Sequence, residues 1–351
     1  MSGSALCALR RLSLSTALLL PALAAASAAA QDGVEGARLR AGGVITAAGE
    51  VALPLGSGET LTQVAGGADG WFAAGVQTAV DHGLERARLS LWRGAASSAD
   101  ALPVPATTGR WLGSPCAVTR VAAGAGGGDL VGLAWLEGGD PEAAAVRWSA
   151  WNGAGWGETV TVSAAGPGSQ LGLGASRLDD GRVLLVWSRY DGEDDEIYWS
   201  LGEAGRFSQP VRLEADDRVP DMTPAVTAVP GGALAAWSAF DRAAGQYRVM
   251  SARFDGAAWG AAEPLGPVGS LYPSFEPSTA ARPLVLYRTA APRGWQLVEL
   301  DTAGRATRRA SAAAVAPERP SAALARGAPV LHFAAGERTL GWESLRLEVA
   351  P

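Results

Sequence analysis

Lysine is missing from this sequence, and cysteine and histidine are scarce. All 29 residues in the Lys and Arg total are arginine, and the chain has 2 Cys and 2 His. With one cysteine, Cys7, in a predicted leader, Cys116 is alone in the mature chain, which excludes an internal disulfide. Cys116 lies in the alternating stretch SPCAVTRVAA, which predicts a small buried hydrophobe. The two histidines, His82 and His332, form no recognisable nucleophile signature with it.

Long apolar runs are missing after residue 30. Residues 1–30 contain Arg10-Arg11, an apolar run and a small-residue ending at Ala30, which predicts a secretory signal peptide cleaved there. The run is broken by Pro21 and is shorter than the roughly 20 residues of a membrane span, so no span is expected. We therefore expect a periplasmic or secreted protein, and the arginine pair leaves both general and twin-arginine export open.

The chain also has fewer basic than acidic residues, 29 against 35. The formal net charge is −6, and the predicted leader carries two arginines and no acidic residue, so the mature chain would be more acidic still. An acidic balance argues against nucleic acid as a partner. The absence of lysine beside abundant Ala and Gly is typical of a GC-rich bacterial genome.

What the sequence does have is a repeat of about fifty residues. Short apolar runs place Trp135, Trp187, Trp237, Tyr287 and His332 at matching positions. A second series of aromatic and branched runs follows each of them, and Gly, Asp or Asn closes the runs. No helical period occurs, so four short strands per repeat predict the blades of a β-propeller.

The predicted fold is an all-β, six-bladed β-propeller of four-stranded antiparallel blades. We label the strands of a blade a to d from the hub outward. The last repeat ends early, so the segment around Val51–Leu55 is predicted to supply its strand d and to close the ring, which would remove an exposed sheet edge. The blades of the single domain 31–351 are predicted at 61–110, 111–166, 167–218, 219–268, 269–316, and 317–351 with 36–56.

Three of the predicted c–d turns carry a family resemblance. SAWNGAGW (149–156), SLGEAGRF (200–207) and SARFDGAAW (251–259) share an initial Ser and a closing aromatic residue. They resemble degenerate Asp boxes, the S-x-D-x-G-x-x-W turn of sialidase-type (BNR-repeat) propellers. Trp151 and Gly202 replace the defining Asp, so Gly and the aromatic residue are expected to hold these turns. In that family the Asp box is structural and lies opposite the active site.

The resemblance implies a sialidase active site only if its catalytic groups are present. That chemistry needs three convergent arginines, a Tyr nucleophile with a Glu, and an Asp acid/base. The family's Arg-Ile-Pro motif is absent, and Arg189, Tyr190, Tyr287 and Arg288 lie near predicted blade tops without a spacing that marks a triad. A glycosidase that uses two carboxylates at the hub stays open as well.

Acidic residues gather on one predicted face, formed by the b–c loops and the d–a connections. The acidic b–c loop residues are Asp81, Glu85, Glu137, Asp140, Glu142, the run DGEDDE at 191–196, and Asp241, and the d–a connection EADDRVPD adds Glu214, Asp216, Asp217 and Asp221. Candidate ligand-face residues are Asp191, Glu193, Asp194, Asp195, Glu196, Asp216, Asp217, Asp221, Arg189 and Tyr190. Candidate calcium ligands are Asp191, Asp194, Asp195, Glu196 and Asp217.

Three interpretations of this face remain open: a solvated polar rim, a calcium site built from hard oxygen ligands, or a surface that attracts a cationic ligand. Together these observations favour an exported, non-enzymatic propeller, expected to be a monomer, that binds a glycan or protein ligand on its acidic face. A sialidase-like glycoside hydrolase and a scaffold of a cell-envelope complex are the alternatives.

Overall fold

The structure is a computed structural model, and residues Gln31–Pro351 form one compact unit. The predicted signal peptide and its cleavage site lie outside the described residues. In the part that is described, no helix is long and apolar enough to cross a membrane. The described residues are 34–35, 38–40, 43–46, 49–67, 70–81, 84–95, 98–120, 129–166, 168–215, 217–313, 321–325, 328–333, 338–341 and 346–348.

Four short strands come first in the chain. Strands β2, β3 and β4 form a three-stranded antiparallel sheet, whereas β1 pairs with a strand near the C-terminus. Their bounds are β1 (Val34–Glu35), β2 (Arg38–Arg40), β3 (Gly43–Thr46) and β4 (Gly49–Ala52).

Five antiparallel sheets then follow one another, each made of consecutive strands. In the order a to d, blade 1 contains β5 (Glu59–Gly67), β6 (Gly70–Asp81), β7 (Leu84–Gly94) and β8 (Ala99–Ala101), and blade 2 contains β9 (Trp111–Arg120), β10 (Asp129–Gly138), β11 (Ala144–Ala150) and β12 (Val160–Ser163). Blade 3 contains β13 (Gln170–Arg177), β14 (Val183–Tyr190), β15 (Asp195–Glu203) and a strand d in two pieces, β16 (Arg206–Phe207) and β17 (Val211–Arg212). Blade 4 contains β18 (Asp221–Val229), β19 (Gly232–Asp241), β20 (Gln246–Phe254) and β21 (Glu263–Pro264), and blade 5 contains β22 (Ser270–Thr279), β23 (Arg282–Ala290), β24 (Arg293–Leu300) and β25 (Ala306–Ala313).

The five blades form an all-β β-propeller, as predicted. The a strands of successive blades contact one another, from β5 through β9, β13 and β18 to β22. A short 3₁₀ helix, Pro141–Ala143, lies in the b–c connection of blade 2. The chain ends with β26 (Ser321–Ala325), β27 (Ala328–Phe333), β28 (Arg338–Gly341) and β29 (Arg346–Glu348).

The predicted count of six blades is wrong, because the segments assigned to the sixth blade pair elsewhere. Strand β4, which overlaps the segment around Val51 expected as strand d, pairs with β3. Strand β29, which lies in the predicted sixth blade (317–351), pairs with β25 at the outer edge of blade 5. Instead, β26, β27 and β28 form a sheet with β1 beside β26. The predicted closure by strand d is therefore not observed.

The b strands form the centre of each blade's core. Trp135, Trp187, Trp237 and Tyr287, which stand at matching positions of the repeat, are completely buried. Stretches such as VLLVW are apolar without alternation because both faces of a central strand are covered. The buried rings lie between neighbouring sheets and fix the blade-to-blade geometry.

The a strands share a β-bulge that the sequence analysis did not predict. Ser114, Gly172, Thr223 and Tyr272 occupy it in blades 2 to 5, with φ of 45°, 54°, 54° and 56°. The strand register shifts at each of these points. A left-handed conformation strains residues other than glycine, so these bulges are imposed by the surrounding fold.

Contacts between these bulges join neighbouring blades. The Cys116 thiol of blade 2 lies 3.1 Å from the Leu173 carbonyl oxygen of blade 3, and the Tyr272 amide of blade 5 donates to Ser238 Oγ of blade 4 at 2.9 Å. Burial raises the pKa of the Cys116 thiol to about 12, which agrees with its predicted role as a small buried hydrophobe.

Candidate functional site

The b–c turns and d–a connections lie on one face, hereafter the acidic face. The amide that ends a b strand donates to the connection that enters the same blade. These hydrogen bonds run from Tyr190 N to Ser169 O at 2.9 Å, from Phe240 N to Pro220 O at 3.0 Å, and from Ala290 N to Gly269 O at 2.8 Å. Each b–c turn is thereby fixed beside a d–a connection.

The b–c turn of blade 3 is a tightly bonded loop. Asp191 Oδ1 accepts hydrogen bonds from the amides of Glu193 at 2.9 Å and Asp194 at 3.3 Å. Gly192 takes a φ of 118°, which a side chain would strain. Asp191 Oδ2 is paired with Arg212, which lies on strand β17. The acidic run is therefore an ordered turn, and its carboxylates have defined positions.

The connection from blade 3 to blade 4 adds further carboxylates to this turn. Asp221 begins strand β18 and is 7% exposed, and Trp237 Nε1 donates to its Oδ2 at 3.1 Å. Asp221 lies within electrostatic reach of residues from both segments. We call this group the acidic cluster; its members are Asp191, Asp194, Asp195, Glu196, Glu214, Asp217 and Asp221.

Burial and mutual repulsion raise pKa values within the acidic cluster. Burial, followed by the charges of Glu196, Glu214 and Asp217, raises the pKa of Asp221 to about 8. Burial and then Asp194 and Asp191 raise the pKa of Asp195 to about 6. Burial and Asp217 likewise raise the pKa of Glu214. At neutral pH the cluster therefore holds a proton on Asp221, and bringing in a positive charge would favour its release.

Three of the five candidate calcium ligands come together. Asp191, Asp194 and Glu196 each offer a carboxylate oxygen, and these oxygens lie within 4.8 Å of one another. Asp194 is 8% and Glu196 is 2% exposed. Asp195 and Asp217 are not part of this group, although they belong to the wider cluster.

The remaining candidate residues lie apart from the cluster's centre or outside the described residues. Glu193 is exposed and lies 3.4 Å from Arg218. The Arg189 guanidinium lies 5.2 Å from the Tyr198 ring centroid, and a Cβ on Gly166 would lie 3.4 Å from it. Tyr190 packs against Gly168. Arg189 and Tyr190 thus lie at the joint between blades 2 and 3, and the Tyr190 hydroxyl also donates to the Gly192 carbonyl oxygen of the acidic turn at 2.9 Å. Asp216 lies outside the described residues.

Two tyrosines beside the cluster were missed. Burial and then Asp195, Tyr272 and Asp221 raise the pKa of Tyr247, which places this phenol next to the cluster. Tyr272, from the bulge of blade 5, is 51% exposed. The signal that could have found Tyr272 is the pair Tyr272-Pro273, since Ser114 and Thr223 also precede proline at the equivalent bulges.

Several acidic residues of the predicted rim serve the fold instead. Glu137 Oε1 accepts from Gly109 N at 2.7 Å and Thr108 Oγ1 at 2.9 Å, while Trp135 Nε1 donates to Oε2 at 3.0 Å. Burial opposes ionisation here, but these hydrogen bonds outweigh it and lower the pKa of Glu137. Asp241 pairs with Arg248 at 3.1 Å. The side chains of Asp81 and Glu85 lie outside those described.

The c–d turns have more internal support than expected. Asn152 Oδ1 accepts from the amides of Ala154 and Gly155, and Asp255 Oδ1 accepts from those of Ala257 and Ala258, all at 2.8–2.9 Å. The expectation that only Gly and the aromatic residue hold these turns is therefore wrong. A side-chain oxygen still caps the turn, one or two positions later than the family's Asp.

The sialidase candidates do not assemble. Tyr287 is fully buried, its hydroxyl donates to Gln296 at 2.6 Å, and burial raises its pKa to about 12. A buried, hydrogen-bonded phenol of this kind is not placed to attack a sugar. Arg288 pairs across the blade with Leu271 and Trp295.

The comparisons with known proteins show the fold and nothing finer. The protein is similar to a fungal lectin, the Aleuria aurantia lectin, described as a six-bladed β-propeller with a novel fucose recognition mode; the TM-score is 0.51 at 12% identity, over 79% of this chain and 89% of that one. A protein of unknown function from Dyadobacter fermentans DSM 18053 matches with a TM-score of 0.50 at 13% identity, over 86% and 98% of the two chains. The fold is a β-propeller. The microbial sialidase Hz136 matches with a TM-score of 0.44 at 10% identity, and the chain spans about half of its length, 52%. Neither a protein-family model nor a curated protein matches the sequence.

Proposed function

We propose that this protein is an exported, non-enzymatic binding propeller whose acidic cluster, between blades 3 and 4, binds a cationic ligand or a basic segment of a partner. The observation that carries the proposal is the group of carboxylates contributed by two loops, in which oxygens of Asp191, Asp194 and Glu196 lie within 4.8 Å of one another. The raised pKa of Asp221 beside them agrees with it. Such crowding costs free energy in the absence of a cation, and a bound cation would relieve it.

The chemistry of the cluster admits two kinds of cation. The oxygens of Asp191, Asp194 and Glu196 suit a hard divalent ion such as calcium, which prefers several carboxylate ligands. Tyr247 and the exposed Tyr272 beside the cluster suit an organic ammonium or guanidinium group, because aromatic faces attract such cations.

The decisive experiment is calorimetric titration of the protein with calcium chloride and, separately, with a short arginine-rich peptide. Each titration is run in two buffers that differ in ionisation enthalpy. A cation at the cluster should displace protons from Asp221 and Asp195, so the observed enthalpy should differ between buffers at pH 7. Affinity should rise between pH 6 and pH 8 as these carboxyls lose their protons.

The matched variants separate the cluster from general surface charge. Asp194→Asn with Glu196→Gln should weaken binding at least tenfold, since hydrogen bonds to charged groups contribute about 1.5–3 kcal/mol each. Glu142→Gln with Glu158→Gln removes the same charge from exposed positions of blade 2 and should leave affinity within twofold. Equal losses of affinity in both double variants would show that the acidic face is only a solvated polar rim.

One observation favours the alternative of a glycoside hydrolase. A carboxyl that holds its proton at neutral pH beside a second carboxyl is the pattern of an acid paired with a base or nucleophile. Asp221 and Glu196 fit that pattern. A fluorogenic sialoside and a set of aryl glycosides test it: turnover that disappears in Asp221→Asn would replace the binding proposal.

We also propose that the N-terminal strands complete the ring. Strand β2 contacts both β26 and β5, and β1 pairs with β26. This arrangement supports a joint between the two ends of the chain that differs from the predicted strand d exchange.

A further inference from the structure

Two clefts flank Trp151 on the face opposite the acidic cluster, where the a–b and c–d turns lie. The first, between blades 1 and 2, has a volume of about 530 Å³ and is bordered by Phe72, Arg93, Asp129 and Asn152. The second, between blades 2 and 3, has a volume of about 320 Å³ and is bordered by Trp148, Arg177 and Phe207. Val131 and Trp151 border both, so the two clefts lie side by side, and we call them together the groove around Trp151, with each cleft as one lobe.

Aromatic rings form the walls of this groove, and packing fixes their positions. Trp148 and Phe207 meet edge to face with centroids 5.8 Å apart, and Trp151 meets Trp156 in the same way at 5.1 Å. Gly202 lets Phe207 approach, because a Cβ there would lie 2.6 Å from the ring. A rigid aromatic wall with a few polar groups is what a pocket for a ring-shaped ligand needs, since the rings supply contact area and the polar groups supply specificity.

The second lobe carries a single charge among its described lining residues, the Arg177 guanidinium. The charge of Arg177 acts on Asp180, whose Oδ2 already accepts a hydrogen bond from Arg182 Nε at 2.7 Å. Within the described residues Arg177 forms no ion pair. A planar guanidinium on the rim of an aromatic cleft matches a carboxylate, which it can bind through two parallel hydrogen bonds.

Among its described lining residues, the first lobe is balanced in charge. It has one cation, Arg93, and one anion, Asp129, together with Asn152. The side-chain oxygen of Asn152 is used by the turn, while its amide nitrogen is a donor that the turn does not use. Donors and acceptors of this kind, without net charge, suit the hydroxyl groups of a neutral sugar.

From these observations we propose that the groove around Trp151 binds an acidic glycan, with the carboxylate of a uronic acid at Arg177 and the adjoining neutral sugar in the lobe of Arg93, Asp129 and Asn152. The site is independent of the acidic cluster. It lies on the opposite face and binds a ligand of opposite charge.

The test is calorimetric titration with an aldobiuronic acid, in which one glucuronic acid is linked to one neutral xylose, and with its methyl ester, which replaces the charged carboxylate by a neutral ester. The acid should bind at least tenfold more tightly than the ester. Arg177→Gln should lower the affinity for the acid at least tenfold and leave the affinity for the ester within twofold of the wild-type value. Arg308→Gln, which removes an equal charge from an exposed position of blade 5, should leave both ligands within twofold.

Arg177→Lys gives a second test that retains the charge. Lysine lacks the planar guanidinium, so this variant should bind the acid at least threefold more weakly than the wild type. It takes the place of Arg177→Gln in the test if thermal melting shows that Arg177→Gln is unfolded. Equal affinity for acid and ester, an equal effect of Arg177→Gln and Arg308→Gln, or no binding of the acid at about 10 mM would each overturn the proposal.

Discussion

Glu137 and Asp221 are both buried acidic residues next to a b-strand tryptophan, yet their surroundings shift their pKa values in opposite directions. Glu137 receives hydrogen bonds from a neighbouring connection, which outweigh burial and lower its pKa. Asp221 accepts a hydrogen bond from the indole of Trp237 and faces other carboxylates, so burial and repulsion raise its pKa to about 8. The first is a structural anion, and the second is a protonated group at a candidate binding site.

Asp221→Asn should make the protein more stable at alkaline pH. The folded-state pKa of about 8 lies above the ordinary 3.8, so the proton on Asp221 stabilises the fold fully at low pH. That contribution is lost as the pH rises from about 4 towards 8. The amide cannot ionise, so the variant should gain about 2 kcal/mol or more over the wild type between pH 5 and 8, since one pKa unit corresponds to about 1.4 kcal/mol.

Urea denaturation at several pH values, in EDTA, measures this difference. Asp100→Asn, at an exposed position of strand β8, is the control and should show a difference from wild type that does not vary with pH. A constant difference for Asp221→Asn as well would show that Asp221 is ionised in the folded protein.

At the scale of single residues, the sequence predicted which acidic residues lie on one face better than it predicted their contacts and protonation states. The runs DGEDDE and EADDRVPD were expected on one face because b–c and d–a segments alternate with the other turns, and the structure brings them together. The sequence could not show that Glu137 accepts a hydrogen bond from the Gly109 amide, or that Tyr247 lies near Asp195. Those contacts depend on loop conformations that no strand periodicity encodes.

The elements themselves follow closely from the pattern, except at the a strands. The apolar runs around Trp135, Trp187 and Trp237 are b strands, and their burial follows from their apolar composition. The bulges were missed because the strand pattern does not mark where one extra residue enters the strand and shifts its register. Ser114, Thr223 and Tyr272 each precede a proline, which cannot donate to the strand ladder, and this is the local signal that marks an interrupted strand.

Tyr272 should tolerate glycine better than alanine. With φ at 56°, any side chain at this position is strained, so Tyr272→Gly should be more stable than Tyr272→Ala by about 1 kcal/mol. At Val211, an exposed position of strand β17, the order should be reversed, with glycine less stable by about 0.5–1 kcal/mol. Urea denaturation of the four variants tests this. The same order at both positions would show that the bulge is unstrained.

At the scale of the whole molecule, the repeat predicted a propeller but not its number of blades. The repeat weakens after residue 317, and the predicted pairing of that region with the N-terminal segment failed: β29 adds to blade 5 and β4 stays with β3. Short strands without a strong aromatic position leave register and partner weakly specified, so pairing is decided by which sheet edges are available.

Deletion of residues 34–52 should destabilise the protein as a whole. It removes β1 to β4, and so exposes β26 and deprives β5 of its contact with β2. We expect the melting temperature to fall by about 5 °C or more and self-association to increase, because uncovered strands pair with other chains. Thermal melting and analytical ultracentrifugation measure both effects. An unchanged melting temperature would show that these strands do not join the ends of the ring.

The hydrogen bonds from Tyr190, Phe240 and Ala290 to the connections that enter their own blades have one more consequence. Each connection is bonded to the sheet that it precedes, so the unit that can be exchanged intact is longer than the visible sheet. A graft of blade 3 that begins at Gln170 would lose the Ser169 carbonyl that Tyr190 needs. In recombination between related chains, productive crossovers should therefore fall before the connection, near residue 164, and not at the first residue of the strand.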